Sequence, residues 1–379
     1  MNPLLTEQHE ALRREIREFA EREIAPKAAM LDENEEFSVE LTHKMGNAGI
    51  LGLNMPKEYG GRGLDTLSYI IAVEELARVD SSQAATVVAH NSLGLVPILD
   101  YGTEEQKKKY LPQLTTGQKL WGFGLTEDNA GSDALGTETT AVRDGDHWVI
   151  NGAKRFITNA STPITLGVTL QVKTTDESGQ SRLTTILVER DTPGFKAERM
   201  LGKMMWRAAD TARLTFDNCR VPYTNLLGKE GQGAKYMLKT LDGGRLSVAA
   251  MGLGLAQGAY ELALKHAKTR VQFGKPIIRN QAISFKLADM DMKLELARNT
   301  LYKACILKDR GYSYTREAAI AKLYTSEIAR EIADEAVQIF GGSGLFKNNP
   351  VERFYRDQRL LQIGEGTSEI LRLVISRLL

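Results

Sequence analysis

The feature that most constrains the fold is the spacing of apolar residues, which changes twice along the 379-residue chain. Up to about residue 119, apolar residues recur every three or four positions, as they do in amphipathic helices. Between about 120 and 228 they alternate with polar residues and are interrupted by glycine and proline, which predicts strands. The helical spacing returns at 229 and continues to residue 379. We therefore predict an α+β fold with domains at 1–119, 120–228 and 229–379.

Capping residues and helix breakers set the predicted limits of the N-terminal helices. Thr6 precedes an amphipathic run that Pro26 is expected to end, because proline disrupts a helix interior. A second helix is predicted over Leu67–Val79. Thr103 and Gln106 have the spacing of a capping box, which predicts the start of another short helix.

The middle third carries hairpin signals. Thr139–Arg143 and His147–Ile150 alternate around an Asp-Gly turn, and Asn151-Gly152 is expected to form a second turn. Further strands are predicted over Leu183–Val188 and Ala212–Phe216.

The last third predicts long helices joined by short links. A helix from Ala234 to about Arg270 would extend for about 55 Å. Further helices are predicted at residues 280–309, 315–340, 351–359 and 367–379. This arrangement favours a four-helix bundle.

Composition excludes several classes of function. A net charge of +1 provides no field for binding nucleic acid, and no apolar run approaches the roughly 18 residues needed for membrane insertion. Cys219 and Cys305 form no disulfide framework, so a reducing, cytoplasmic location is the simplest interpretation, and a processed organellar protein remains an alternative. The five histidines form no metal-binding pair, and we predict no metal site. Gly252–Gly258 only approximates a dinucleotide fingerprint and lies within a predicted helix, where close helix packing explains it better.

Four segments could carry chemistry, although each also has an ordinary structural explanation. Glu365 lies between Gly364 and Gly366 before a helix, where a carboxylate could act as a base; most acidic residues, however, are solvated surface charges. The 121–133 segment could bind a heterocycle and a phosphate, or be a plain loop. Residues 154–159 could combine ring stacking with a hydroxyl, or be a plain strand, and 270–276 could bind phosphate, or simply end a helix with a cation.

Seven motifs in order make the chain resemble the acyl-CoA dehydrogenase family, most closely its short-chain, butyryl-type members. They are Leu-Thr-Glu-x-x-Ala-Gly-Ser-Asp at 125–133, Ile-Thr-Asn at 157–159, Arg-x-x-Phe-Gly at 270–274, Leu-Ala-Asp-Met at 287–290, Gln-Ile-Phe-Gly-Gly at 338–342, Tyr-Arg-Asp at 355–357 and Glu-Gly-Thr-Ser at 365–368. The resemblance implies an N-terminal helical domain, a middle β-barrel-like domain and a C-terminal four-helix bundle, with FAD between the last two domains.

The resemblance also implies site residues. The residues implied for the flavin, the FAD phosphates and the adjoining CoA chain are Phe123, Leu125, Thr126, Gly131, Ser132, Phe156, Ile157, Thr158, Thr367 and Glu369. Those for the adenine half of an FAD bound mainly by a neighbouring subunit are Arg270, Phe273, Gln281, Gln338, Gly341 and Gly342. Acyl-CoA would contact Ser132, Asp242, Arg245, Gly364 and Gly366. A shared FAD site makes a dimer obligatory, and a homotetramer built as a dimer of dimers is expected.

The implied reaction is α,β-dehydrogenation of an acyl-CoA thioester. Glu365 would remove the α-proton while the β-hydrogen leaves as hydride to the flavin, and an electron-transfer flavoprotein would accept the electrons. Some family members carry the base before the arginine that matches Arg245; that position is Gly244 here, which favours Glu365. Burial should raise the pKa of Glu365. A flavin-binding relative without catalytic activity is an alternative that the presence of Glu365 disfavours.

Two positions depart from the pattern of the short-chain members. Phe156 stands where the family usually has tryptophan, and Gly364 stands where short- and medium-chain members have tyrosine. Glycine there resembles the isovaleryl-type enzymes, which accept branched acyl groups. The substrate is therefore expected to be a short branched or alicyclic acyl-CoA. The alternative is a straight-chain butyryl-CoA dehydrogenase in which Leu361 or Met205 compensates for the lost bulk.

Overall fold

A computed structural model describes residues 3–176 and 178–379. Helices come first, a sheet follows, and long helices complete the chain, so the predicted α+β fold class is confirmed. No helix in these two ranges combines the length and apolar composition required to cross a lipid bilayer.

The N-terminal helices follow the predicted caps but not the predicted break. The helices are α1 Glu7–Phe19, α2 Ala25–Glu33, α3 Val39–Asn47, α4 Thr66–Ala77, α5 Ser81–Val88, α6 Val96–Tyr101 and α7 Glu104–Thr115, with π-helical turns over Ala20–Ile24 and Ala89–Leu95. The capping boxes at Thr6 and Thr103 are both present. Pro26 does not end the first helix. It lies in the first turn of α2, directly after the π-helical turn, a position at which proline is compatible with helical backbone.

The middle region forms a seven-stranded mixed sheet in the order β1-β4-β2-β3-β7-β6, with β5 paired to β4. The strands are β1 Leu120–Gly124, β2 Thr140–Asp144, β3 His147–Thr158, β4 Thr165–Thr175, β5 Ser181–Glu189, β6 Phe195–Arg199 and β7 Thr211–Pro222. The predicted β2–β3 hairpin is present. The predicted turn at Asn151-Gly152 is wrong, because β3 continues through a register shift at Gly152. The parallel pairing of β1 with β4 could not be read from local patterns.

Three long helices dominate the last third: α8 Gly233–Thr269, α9 Gln281–Asp309 and α10 Thr315–Phe340. The hairpin β8 Val271–Gln272 and β9 Lys275–Pro276 joins the first two, and α11 Val351–Asp357 and α12 Ser368–Ser376 end the chain. The glycines in α8 allow close packing, as predicted: a methyl group at Gly254 would lie 2.2 Å from the backbone oxygen of Glu74 in α4.

Helices α8 and α10 run parallel and side by side. Near their starts, Thr315 Oγ1 donates to Asp242 Oδ2 at 2.9 Å. Near their ends, the His266 and Phe340 rings stack with centroids 4.3 Å apart. The two ends of this pair form two separate regions of the molecule, and both contain predicted site residues.

Candidate active site

Glu365 occupies a strained loop between the 3-10 turn Gln358–Gln362 and α12. Its φ of 53° and the φ of 97° at Gly366 are both left-handed, which for a glutamate costs roughly 1–3 kcal/mol. Glu365 Oε2 is shielded from solvent and has no hydrogen-bond partner among the described residues. A methyl group at Gly244 of α8 would lie 2.0 Å from this oxygen, so the carboxylate rests directly against the helix. A strained, unpaired carboxylate facing a helix is suited to taking up a proton.

One face of α10 holds this loop at both of its ends. Lys322 Nζ donates to the backbone oxygen of Gly366 at 2.7 Å. The Ser326 hydroxyl lies 2.8 Å from the backbone oxygen of Leu361 and 2.7 Å from that of Lys322, and it shares its one proton between them. Glu327 accepts from Gln362 Nε2 at 2.8 Å and from Ser368 Oγ at 2.7 Å. Thr367 caps α12 by accepting from the Ile370 N–H. The loop is therefore fixed to α10 on either side of Glu365.

Burial and two nearby cations set the ionisation of Glu365. Loss of solvent raises the pKa of Glu365 to about 7, as the sequence predicted, while Lys322 and Arg245 act in the opposite direction. Burial also lowers the pKa of Lys322 to about 8. Arg245 is itself held by Asp242, whose Oδ1 accepts from Arg245 Nη1 at 2.5 Å. A carboxylate with a pKa near 7 is well matched to general-base catalysis at neutral pH.

The ends of β1 and β3 bring a second group of predicted residues together. The Arg155 N–H donates to the backbone oxygen of Thr126 at 2.8 Å, which sets Leu125 and Thr126 beside Phe156, Ile157 and Thr158. The Phe156 ring is 56% exposed and its φ is 63°. The hydroxyls of Thr126 and Thr158 make no hydrogen bond to the described part of the chain. An exposed ring beside two unpaired hydroxyls is a surface for a planar, polar ligand.

Buried polar contacts fix this surface in place. Lys154 donates to Glu127 at 2.7 Å and to the backbone oxygen of Leu125 at 3.1 Å, and both of the paired side chains are buried. Asn159 donates to the backbone oxygen of Thr86 in α5 at 2.9 Å, which ties the end of β3 to the N-terminal helices.

The remaining predicted residues lie away from Glu365 or on the surface near it. Gly131 and Ser132 are exposed in the loop after β1, Glu369 is exposed in α12, and Phe123 is buried in β1. The distal group comprises Arg270, Phe273, Gln281, Gln338, Gly341 and Gly342, all exposed around the far ends of α8 and α10. Along α8, Arg270 lies about 39 Å from Gly244 at 1.5 Å per residue. The distal group therefore does not share a pocket with Glu365 of the same chain.

Family models match nearly the whole chain. The acyl-CoA dehydrogenase N-terminal, middle and C-terminal domain models match residues 6–118, 122–219 and 231–379. The chain belongs to the acyl-CoA dehydrogenase family. It is thus an enzyme that oxidises a CH–CH bond of an acyl-CoA, and its cofactor is FAD.

Relatives within the family match over their full lengths. A probable acyl-CoA dehydrogenase of Bacillus subtilis is 48% identical, covering 100% of this chain and 99% of the relative. Butyryl-CoA dehydrogenase from Megasphaera elsdenii is 42% identical with a TM-score of 0.95, covering 100% and 99%. A chain from structural work on the electron transferring flavoprotein of Acidaminococcus fermentans is 44% identical with a TM-score of 0.95, covering 100% and 99%.

The residues present fit FAD. The Phe156 ring and the Thr126 and Thr158 hydroxyls, at the ends of β1 and β3, suit a flavin. Gly341 and Gly342 face open space, with no atom of the described residues within 4 Å of a methyl group built there. Phe273 is 96% exposed in the β8–β9 hairpin, as expected of a ring that contacts a ligand or a second chain rather than its own core.

Sequence reasoning missed one residue of the site, Lys322. It is fully buried on a face of α10 that otherwise carries small residues, among them Ala318, Ala321 and Thr325. A lysine within such a buried face was the available signal, because lysine is rarely buried without a specific reason.

Proposed function

We propose that this acyl-CoA dehydrogenase acts on short acyl-CoA thioesters that carry a branch or a ring near the α and β carbons. Its electron acceptor would be an electron-transfer flavoprotein, and it would work as a cytoplasmic homotetramer. Similarity to a butyryl-CoA dehydrogenase supports the short chain, and similarity to a chain from the flavoprotein work supports the acceptor. The observation that carries the proposal is the missing side chain at Gly364.

Gly364 is not required by the backbone. Its φ is not in the positive range that favours glycine, and a methyl group there would make only ordinary contacts with the described residues, the nearest 3.4 Å from Leu360 Cγ. Gly366, by contrast, has a φ of 97° that disfavours any side chain. Because the fold tolerates a side chain at Gly364, its absence is better explained by space left for the substrate beside Glu365.

In the proposed mechanism, Glu365 removes the α-proton of the thioester. FAD, when bound, supplies the acceptor for the β-hydride. The Glu365 backbone N–H would donate to the thioester oxygen and stabilise the charge that develops there. Asp242, Arg245, Gly366 and Ser132 would line the CoA path, and burial beside α8 would keep water from the carboxylate.

The proposed FAD contacts follow the two groups of residues described above. Those for the flavin half are Phe123, Leu125, Thr126, Gly131, Ser132, Phe156, Ile157, Thr158, Thr367 and Glu369. The distal group would hold the adenine half of an FAD bound mainly by a second subunit, which the distance of about 39 Å along α8 supports. A dimer would then be the smallest active unit.

Substrate comparison tests the acyl preference. We expect kcat/KM for isobutyryl-CoA or cyclohexanecarboxyl-CoA to exceed that for butyryl-CoA. Gly364→Tyr should reverse the order by refilling the space, whereas Gly364→Ala, the matched control, should change it little. If butyryl-CoA dominates in the unmodified enzyme, the alternative of a straight-chain butyryl-CoA dehydrogenase is correct.

Loss of flavin colour tests the base. An acyl-CoA should bleach the yellow oxidised enzyme under anaerobic conditions, and Glu365→Gln should retain FAD but abolish bleaching. A Glu365→Gln variant active within a few fold of the unmodified enzyme would show that another residue is the base. Re-oxidation of the bleached enzyme by an electron-transfer flavoprotein, followed in the same cuvette, tests the acceptor.

A further inference from the structure

We propose that Lys322 is a positioning residue for the dehydrogenation: its side chain anchors the loop that carries Glu365 and supplies the positive charge that keeps the Glu365 carboxylate anionic. The inference rests on the proposed role of Glu365 as the base. Lys322 itself would not touch the substrate, because its ammonium group is directed at the backbone of the loop.

The geometry makes Lys322 an anchor next to the reacting group. Its Nζ donates to the backbone oxygen of Gly366, the residue that follows Glu365, at 2.7 Å. Gly366 and Glu365 both have left-handed φ values, so this contact restrains the most strained part of the loop. Movement of the Lys322 side chain would therefore move the Glu365 backbone.

An anchor alone does not require a charge. Ser326 anchors the other end of the loop with a neutral hydroxyl, at 2.8 Å from the backbone oxygen of Leu361. Lys322 is 0% exposed, and no carboxylate lies within ion-pair distance of it in the described part of the chain. Burying an unpaired ammonium is costly, and a neutral side chain could hold the loop at lower cost. The charge therefore needs an explanation of its own.

Glu365 provides that explanation. The charged and titratable groups that face Glu365 are Lys322 on α10, Arg245 on α8 and Tyr69 on α4. The Arg245 charge is offset by Asp242, and burial raises the pKa of Tyr69, which keeps that phenol neutral. Lys322 is thus the cation in this region whose charge no contacting carboxylate neutralises, and it acts against the burial that raises the pKa of Glu365.

The surroundings of Lys322 agree with this role. Besides Glu365, the charged groups that act on it are Arg245, Glu327 and Glu369. Glu327 is occupied by its bonds to the loop, from Gln362 and Ser368, and Glu369 is exposed to solvent.

Proton exchange measures this role without hydride transfer. 3,3-Dimethylbutyryl-CoA has α-hydrogens but none on the β-carbon, so in D2O the enzyme can only remove an α-proton and return a deuteron. NMR then gives the exchange rate as a function of pH. For Lys322→Met we expect the acid limb of the profile to move up by about one pH unit, since a nearby opposite charge shifts a carboxyl pKa by roughly 1–3 units. At pH 6.5 exchange should fall about tenfold and recover at higher pH.

Three variants separate the possible outcomes. Lys322→Gln keeps an N–H donor without the charge and should shift the profile as Lys322→Met does; it also serves if the methionine variant does not fold with FAD. Lys322→Arg should restore the original midpoint. Ser326→Ala, the matched control, removes a loop anchor without a charge and should lower exchange at every pH with the midpoint unchanged.

The proposal is overturned if neither Lys322→Met nor Lys322→Gln moves the midpoint, or if both exchange at the original rate at pH 6.5. The first result would make Lys322 an anchor only, and the second would give it no role. Glu365→Gln separates this failure from failure of the proposed function: exchange that survives in that variant shows that Glu365 is not the base.

Discussion

Alanine at Gly244 should displace the Glu365 carboxylate without weakening the fold. The added methyl group would lie 2.0 Å from Glu365 Oε2 and 3.2 Å from Leu93 Cδ2. Ordinary contacts begin at 3.4 Å, so the carboxylate must retreat by about 1.4 Å. Displacing a reacting group by about 1 Å costs roughly a hundredfold in rate. We therefore expect kcat/KM to fall about 100-fold, equivalent to about 2.7 kcal/mol of transition-state stabilisation.

The neighbouring glycine provides the control. Among the described residues, a methyl group at Gly243 would meet only Lys308 Nζ, at 3.6 Å, so Gly243→Ala should retain normal activity. Each replacement gains about 1 kcal/mol of helix propensity, and neither should lower Tm. The assay is the stopped-flow rate of anaerobic flavin reduction per bound FAD. Equal rates for the two variants would refute the argument, because they would show that the carboxylate is not held against Gly244 during catalysis.

Three further predictions concern the loop and the buried charges. Gly366→Ala should destabilise the loop by roughly 1–3 kcal/mol because its φ is 97°, and proteolysis near residue 366 should accelerate; an unchanged cleavage rate would contradict this strain. Burial raises the pKa of Asp357 to about 7, so the folded state binds a proton that the unfolded state has lost, and stability falls as pH rises from about 4 to about 7. Asp357→Asn removes this titration, so the gain in Tm that it gives should grow from pH 5 to pH 8. A gain in Tm that is the same at both pH values would contradict the raised pKa. Lys154→Met should lower the free energy of unfolding, measured in urea, by roughly 3–5 kcal/mol, because it leaves the Glu127 carboxylate buried without its cation. Adding Glu127→Gln to the same chain should restore part of that loss. An unchanged free energy of unfolding in Lys154→Met would show that water reaches Glu127.

Local signals predicted the elements whose hydrogen bonds are local. The caps at Thr6 and Thr103 each close within three residues, so the sequence contains both partners. Pro26 and Gly152 were misinterpreted, because a π-helical turn and a register shift in a strand both depend on what packs beside them. A breaker residue restricts its own backbone, but its neighbours decide whether the element ends there.

The sequence by itself determined the family and the α+β order. It also determined that the expected base is at position 365, which holds a glutamate, and not at position 244, which holds a glycine. Motif residues and periodicity are properties of chain order, so they can be read without coordinates. Only the tertiary structure decided what surrounds that glutamate. Lys322 reaches Gly366 across 44 residues, and Asn159 reaches Thr86 across 73. Such pairs depend on how α5, α8 and α10 pack, which no local pattern encodes. The same packing set the pKa of Glu365 near 7, because burial and cation placement are properties of the assembled fold.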